Sequence, residues 1–552
     1  MTGGMGRFAR VSAFAAPCLL SALLLWAAFP PMGETCAVAF ALAPMLAVSR
    51  LSSPRRGAWS WFAFGMAFWT ATLAWMPAIV KNNGPLPLVL LGWFGLAALC
   101  AGYFALFGWL HARLWRRVAA HGGAWTRIVA LSLAEPALWA GTEWLRSWLF
   151  TGFAWNFLGT AVGAVPSLVG PARLGGVYLV SALAVMLNGV FATLACRVMA
   201  QMRGGEGPLR AWADPGTRTG RWLRPLETAV PLLAILAAHF AASAVAVGGE
   251  AVPLRVALVQ RNSPCIFSRR DAAENPFDAF GRLLESASAA RPDLVVWAES
   301  AMAEFGLRLN QPETMEVARR FSEQTGGAAL LSGGDWLERT GTERRVHNSA
   351  ALFDVSATNV DVQAYWKQHL VPFGEYIPFD KWITPLQRLS PVGVSLWPGV
   401  PKVLRLERGG RSFLIAPLIC FEDTDPVLAR SAARMGAQAI VLVTNDSWFS
   451  DSIEPAQHAA QAVLRAVETG LPVVRAANSG VTGVVLPSGR ARWLEDGDGK
   501  PLVDGAGTML DTVPVPVAPR LTPYSRVGDA PLAILFAVAA LFALFPRRDR
   551  AA

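Results

Sequence analysis

In residues 414–426, LIAPLICFEDTDP, an apolar run ends at Cys420, and Glu422 and Asp423 follow almost at once. Nearby carboxylates raise a thiol pKa, so these neighbours should keep Cys420 protonated and unreactive. Either Cys420 is an inert core residue or a cation from elsewhere in the chain offsets the acids. The candidate cation is Lys367, in AYWKQHLVPFGEYIPF, just after a predicted strand and eight residues before Glu375. Glu299, in DLVVWAES, stands at another strand end, where an α/β sheet usually builds its site. If the three converge, Lys367 stabilises a thiolate at Cys420, and Glu299 takes the thiol proton and later returns it to a leaving group. Lys367 and the backbone N–H after Cys420 would then hold the oxyanion of a tetrahedral intermediate. Each residue taken singly also has a plain structural reading: a buried strand cysteine, a strand-end acid bonded to a loop, and a solvated ion pair.

The elements that must position these side chains lie between 251 and about 525. Strand-like runs recur at 255–260, 293–299, 328–334, 349–355, 413–421 and 439–446, with 471–486 as a hairpin. Helix-like runs fall at 276–290, 313–326, 425–437 and 454–470, the last ending on Gly470 where a C-terminal cap is expected. Alternating helices and strands, several of them apolar on both faces, predict an α/β domain whose buried sheets are covered by helices.

The rest of the chain has a different solvent. Of 552 residues, 53% are hydrophobic and 16% charged, against roughly 25% charged in soluble domains. Apolar blocks near 11–30, 35–49, 59–79, 86–110, 128–148, 176–196, 228–248 and 529–546 predict eight membrane spans. The first block is read as a span rather than a cleaved leader, because no small-residue cleavage site follows it. The expected organisation is a membrane domain at 1–250 with seven spans, a soluble domain at 251–525, and an eighth span with a basic tail at 526–552.

With the N-terminus in the cytoplasm, Arg7, Arg10, Arg50, Arg55, Arg56, Arg113, Arg116, Arg117, Arg127 and the tail arginines all fall inside. The soluble domain is then outside the cytoplasm. Topology signals account for much of the formal charge of +10, so no nucleic-acid partner is implied.

In the external segment 150–159, Phe150, Phe153, Trp155 and Phe157 suit an interfacial aromatic belt. The stretch 381–399 carries Trp382, Leu386, Leu389, Val392, Leu396 and Trp397 among prolines; it is either a lid that dips toward lipid or an irregular loop packing its own apolar residues. Glu135, Trp139 and Glu143 share a face of the fifth span, with Arg146 one turn on. They line a functional cavity or form a structural pair holding helices together, the second being the simpler reading.

Six cysteines are present, at 18, 36, 100, 196, 265 and 420. Cys265 and Cys420 fall in the external domain, where a disulfide is one possibility. No CxxC, HExxH or zinc spacing occurs, so neither a metal nor another cofactor is expected. His369, beside Lys367, offers a Cys–His hydrolase as a lesser alternative. With no repeat and no heptad pattern, a monomer is the default.

WAES (297–300), YWKQHLVPFGEYIPF (365–379), LICFED (418–423) and NDSWFSDSIEPAQH (445–458) together resemble the nitrilase superfamily. More closely, and with LRSWLFTGFAWNFLG (145–159) and LVQRN (258–262), they resemble the apolipoprotein N-acyltransferases of bacterial inner membranes. The resemblance implies an α-β-β-α sandwich joined to an α-helical membrane bundle, and a Glu299–Lys367–Cys420 triad supported by Glu375, Phe421 and Glu422. It implies acyl transfer from a membrane phospholipid, through a Cys420 thioester, to the α-amine of an apolipoprotein's diacylglyceryl-cysteine, on the periplasmic side. Trp297, Trp382, Trp397, Asn445 and Trp448 are candidate lipid-facing or substrate-binding residues. Ala298 and Arg261 stand where the family more often has proline and glycine, and CIFSRR replaces a usual aromatic-containing segment, with Phe267 the nearest aromatic. The competing readings are a membrane-tethered amidase of the nitrilase type and a non-enzymatic transporter or scaffold.

Overall fold

The computed structural model describes residues 2–203, 206–212, 222–264, 283, 285, 288–356, 359–378 and 395–545. Cys265, Phe267, Trp382 and most of the 381–399 stretch lie outside them, as do the tail arginines. The chain forms two compact units: the described parts of 1–74, 90–245 and 527–552, and those of 75–89 and 246–526.

The first unit is helical. Among the described residues, four helices are long and apolar enough to cross a membrane, at Pro54–Asn82, Leu86–His121, Ala172–Met202 and Leu226–Ser243. Three of the other expected spans are shorter apolar helices, Ala15–Ala28, Thr35–Arg50 and Ala530–Leu544. The block at 124–148 is helical throughout, with a π-helical turn at Ala130–Ala134, but holds four charged residues: Arg127, Glu135, Glu143 and Arg146.

Three of those charges are internal. Glu135 is fully buried and takes the Arg50 guanidinium at 2.8 Å on both carboxylate oxygens. It also meets His111 Nε2 at 2.6 Å and accepts from Trp115 Nε1 at 2.7 Å. Arg50, counted above among the arginines expected on the cytoplasmic side, is a buried cation paired with Glu135. Arg146 donates to the carbonyls of Phe153 and Trp155 at 2.7 and 2.8 Å, and its guanidinium lies over the Trp69 and Phe157 rings. This pulls the 150–159 segment inward: Trp155 and Phe157 are buried and Phe153 partly so, leaving Phe150 as the exposed ring. The aromatic belt expected there is mostly core.

The described residues of the second unit form twelve strands: β1 (Ala251–Gln260), β2 (Leu294–Trp297), β3 (Ala329–Thr340), β4 (Glu343–Val355), β5 (Val360–Trp366), β6 (Leu404–Arg408), β7 (Arg411–Ile419), β8 (Ala439–Thr444), β9 (Val473–Ala477), β10 (Gly483–Val485), β11 (Ala491–Trp493) and β12 (Gly507–Pro516). They make two six-stranded sheets, ordered β12-β1-β2-β3-β4-β5 and β11-β10-β9-β8-β7-β6. Each has a parallel centre, β1-β2-β3 or β7-β8-β9, with antiparallel flanks.

The strand period of two explains the layering. Val256 and Leu258 of β1 join Val296, Ile415, Val441 and Val474 in a core drawn from both sheets. Ala257, Val259, Val295 and Trp297 face the other way, packing with Val317 and Phe321 of the helix Pro312–Gln324. Central strands buried on both faces need continuous apolar runs, and AIVLVT of β8 is buried at every position. The strands β6, β11 and β12 escaped the sequence reading; β6 and β11 are edge strands with charged or exposed positions that break the apolar run. Gly470 caps the helix Glu454–Thr469 in the left-handed conformation, as its position suggests.

Candidate active site

Glu299 follows β2 by two residues, Lys367 follows β5 directly and Cys420 follows β7 directly. Ser300, at φ +60°, turns the chain just after Glu299. The Glu299 backbone is backed by Gly333 of β3, where a Cβ would sit 2.5 Å from the Glu299 Cα. The Lys367 N–H extends the β4–β5 ladder by donating to the Asn348 carbonyl at 2.8 Å.

These turns bring three charged side chains together. Lys367 Nζ donates to Glu375 Oε1 at 2.9 Å and lies 3.7 Å from Glu299 Oε1. Asn348 Nδ2 ties the carboxylates, donating to Glu299 Oε1 at 2.8 Å and Glu375 Oε1 at 2.7 Å. The second Glu375 oxygen accepts from the Val371 N–H at 2.8 Å. Lys367 is 1% exposed and Glu299 7%, so water screens these charges little.

Cys420 opens a short 3-10 turn, Cys420–Thr424, and has φ +53°. A non-glycine residue is rarely held in this left-handed region, and such strain concentrates at functional positions. Glu422 holds the turn: it accepts from Gln368 N–H at 2.6 Å, His369 N–H at 3.1 Å, Ile419 N–H at 2.8 Å and Tyr365 Oη at 2.8 Å. One carboxylate thus joins the Lys367 segment to the Cys420 segment. Phe421 packs edge-on against His369.

This geometry changes the reading of the acids beside Cys420. Glu422 is turned to backbone amides and Asp423 to His458, at 3.1 Å. Burial pushes the Cys420 thiol well above its usual value, and Glu299 raises it further; Lys367 lowers it, Asp446 raises it and a Thr444 hydrogen bond lowers it. At the sulfur, burial and the carboxylates thus outweigh Lys367, and the balance favours the protonated thiol. Burial also lifts the Glu299 carboxyl, which Lys367 pulls down and Glu375 pushes up. Burial opposes the Lys367 charge, but Glu375, Glu299 and Cys420 outweigh it and hold the ammonium above the usual lysine range. The arrangement suits proton transfer concerted with attack, from a protonated thiol to a nearby carboxylate, beside a permanent cation.

The substrate candidates fare differently. Trp297 is 1% exposed and packs on Phe305 and Phe321 in the core, because strand parity turns it to the helix side. Asn445 is a cap rather than an open binding group: its Oδ1 accepts from Ser447 N–H, Ser447 Oγ and Asn478 Nδ2. Trp397 and Trp448 are half-buried, Trp397 beneath the Arg345 guanidinium and Trp448 accepting through its carbonyl from Asn82 Nδ2. Arg261 pairs with Glu304 and lies over the Phe305 ring. The His369 ring lies 3.7 Å from the Asp425 carboxylate, through Nδ1.

Sequence reasoning missed Asn348, whose partners are 49 and 27 residues away. Among the described residues, Asp446, Glu454 and His458 are grouped as a metal site could be. Both His458 nitrogens, however, face carboxylates, and Arg475 Nη2 already donates to Asp446 at 2.9 Å. That leaves no imidazole lone pair for an ion.

Residues 21–190 match the family described as the apolipoprotein N-acyltransferase N-terminal domain, and residues 255–504 match carbon-nitrogen hydrolase. The apolipoprotein N-acyltransferase of Geobacter metallireducens is 32% identical over 479 residues, covering 86% of each chain. That of Brucella suis is 32% identical over 473 residues, 83% of this chain and 80% of its own. That of Pseudomonas putida is 30% identical over 509 residues, 90% and 89% respectively. An amidase structure from Nesterenkonia sp. aligns at 20% identity with a TM-score of 0.34, over 52% of this chain and 98% of that one. Joined to a helical unit with apolar spans and a carbon-nitrogen hydrolase unit, these matches along most of the chain have one reading: the protein belongs to the apolipoprotein N-acyltransferase family.

Proposed function

We propose that the protein moves an acyl chain from a membrane phospholipid to the α-amino group of an apolipoprotein's N-terminal diacylglyceryl-cysteine. As the Cys420 sulfur attacks the donor ester carbonyl, Glu299 takes the thiol proton. The oxyanion forms against the Lys367 ammonium and the Phe421 backbone N–H. Collapse breaks the ester C–O bond, Glu299 protonates the departing lysophospholipid oxygen, and a thioester remains on Cys420. The acceptor's neutral amine then attacks the thioester carbonyl and gives a proton to Glu299. The C–S bond breaks, the sulfur recovers that proton, and an amide leaves. Glu375 keeps Lys367 charged and in place, while Glu422 holds the two segments in register. We also propose eight spans, a cytoplasmic N-terminus, a periplasmic catalytic unit in the bacterial inner membrane, and a monomer.

The observation that carries this reading is one buried ammonium between two carboxylates, electrostatically coupled to a thiol on a strained turn. The names of the relatives support an apolipoprotein acceptor and N-acylation; the phospholipid donor is part of the proposal. The carbon-nitrogen hydrolase match favours a second reading, a membrane-tethered amidase that passes its acyl group to water. The test is mass spectrometry of the purified chain incubated with phospholipid and no acceptor. An acyl mass on the Cys420 peptide, absent in Cys420→Ala, is expected; no adduct on Cys420 rejects the acyltransferase.

A further inference from the structure

The motif NDSWFSDSIEPAQH contains two residues that the mechanism above leaves unused, Asp446 and His458. Both are 1% exposed. His458 lies in the first turns of the helix Glu454–Thr469, which packs behind the turn bearing Cys420. Its Nδ1 is 2.9 Å from Asp446 Oδ1. Its Nε2 is 3.1 Å from Asp423 Oδ1 and 3.3 Å from the Cys420 carbonyl oxygen.

Each of these partners can accept. The geometry therefore suits an imidazole that donates from both nitrogens, the doubly protonated form. The surroundings support a fixed charge. Arg475 Nη2 and the Thr444 hydroxyl take up the remaining capacity of Asp446, at 2.9 and 2.8 Å. Asp423 and Asp446 balance His458 and Arg475. Burial pushes the Glu454 carboxyl, 3.6 Å from His458 Nδ1, well above its usual value, which favours its uncharged form. The network thus reaches the nucleophile at its backbone carbonyl.

The Cys420 φ of +53° needs something to hold it. A residue in this region costs roughly 1–3 kcal/mol unless its surroundings enforce it. The 3-10 turn fixes the chain after Cys420, and β7 fixes it before. The carbonyl between them is the group that His458 reaches.

We propose that His458 is the positioning residue of the nucleophile. Its ring, clamped between Asp423 and Asp446, donates to the Cys420 carbonyl and keeps the left-handed backbone that directs the thiol toward Glu299 and Lys367. This rests on Cys420 being the acyl carrier.

The test follows single-turnover acylation of Cys420 in the full-length protein, with detergent micelles of mixed phosphatidylethanolamine and phosphatidylglycerol and no acceptor. Rates are taken per folded molecule. His458→Gln keeps the volume but cannot donate from two opposed nitrogens. Its acylation rate should fall by about 100-fold, the scale of a 1 Å misplacement, while the donor concentration at half-saturation stays within about threefold. A structural role alone would lower the melting temperature and leave the rate of the folded fraction near that of wild type; that result overturns the proposal. Asp423→Asn keeps the imidazole and tests the clamp if the glutamine variant does not fold. It should slow acylation by about three- to tenfold, by loosening one of two anchors, and an unchanged rate overturns the proposal equally. If the wild-type protein itself forms no Cys420 adduct, the acyltransferase reading has failed, and the His458 proposal falls with it.

Discussion

The two units each bury a cluster of charges, and the clusters are built on opposite principles. In the helical unit, Glu135 meets Arg50, His111 and Trp115, while Arg50 also donates to the Gly189 carbonyl and the Thr193 hydroxyl. Donors crowd a single carboxylate, and both ion-pair partners are fully buried. In the sheet unit, one ammonium serves two carboxylates and faces a thiol, with Asn348 as the extra donor. In the first cluster every polar partner points at one carboxylate. The second has more proton acceptors than cations, which is what the proposed transfer between sulfur and carboxylate needs. Buried charge becomes chemistry where its balance is left incomplete.

Breaking the incomplete cluster should have the largest effect. Glu299→Gln removes the acceptor for the thiol proton and should lower the acylation rate by about 10²- to 10⁴-fold, the usual worth of a general base. The pH profile carries the sign. Glu299 acts as a base only when ionised, and burial holds its carboxyl above the ordinary 4.5. In wild type, then, the rate falls as pH drops through a limb displaced above that value, and the limb disappears in the glutamine variant. Stopped acylation assays across pH read both outcomes.

Breaking the Glu135 cluster should act on stability instead. Glu135→Gln leaves the Arg50 charge buried without its counter-ion and should destabilise the helical unit by about 3–5 kcal/mol. Acylation per folded molecule should stay within about twofold. Thermal unfolding in detergent beside the single-turnover assay separates the two; a variant that unfolds normally but does not acylate would erase the contrast. Glu422→Gln should give the smallest change. Its carbonyl oxygen still accepts on one side, but its amide nitrogen cannot accept on the other, from either the Gln368 and His369 N–H groups or the Ile419 N–H, a loss of about 1–3 kcal/mol per buried group left unmet. A roughly tenfold slower acylation with an unmoved pH limb is expected, because the register slackens and the base stays.

How far all this was legible depended on how local each signal was. The strand ends bearing Glu299, Lys367 and Cys420 stand out because apolar runs stop there, and Gly470 marks its helix end by its own conformation. Asn348 did not stand out, because a polar residue in a strand looks solvent-facing until β5 covers it and two distant acids converge on it. The sign of the charges beside Cys420 was misleading for a similar reason. Sequence adjacency put Glu422 and Asp423 next to the sulfur, whereas the 3-10 turn aims one at backbone amides and the other at His458. Arg50 shows the same limit: its sequence position does not reveal that it pairs with Glu135 inside the helical unit.

The most direct test of a mobile proton beside a thiol is whether the sulfur carries the transferred chain on the path to product. Protein loaded with radiolabelled acyl chain from phospholipid, freed of donor and then mixed with a diacylglyceryl-cysteine peptide, should pass the label from Cys420 to the peptide amine at least as fast as steady-state turnover. Label that stays on the protein, or that leaves as free fatty acid at the same rate with or without peptide, would contradict the account.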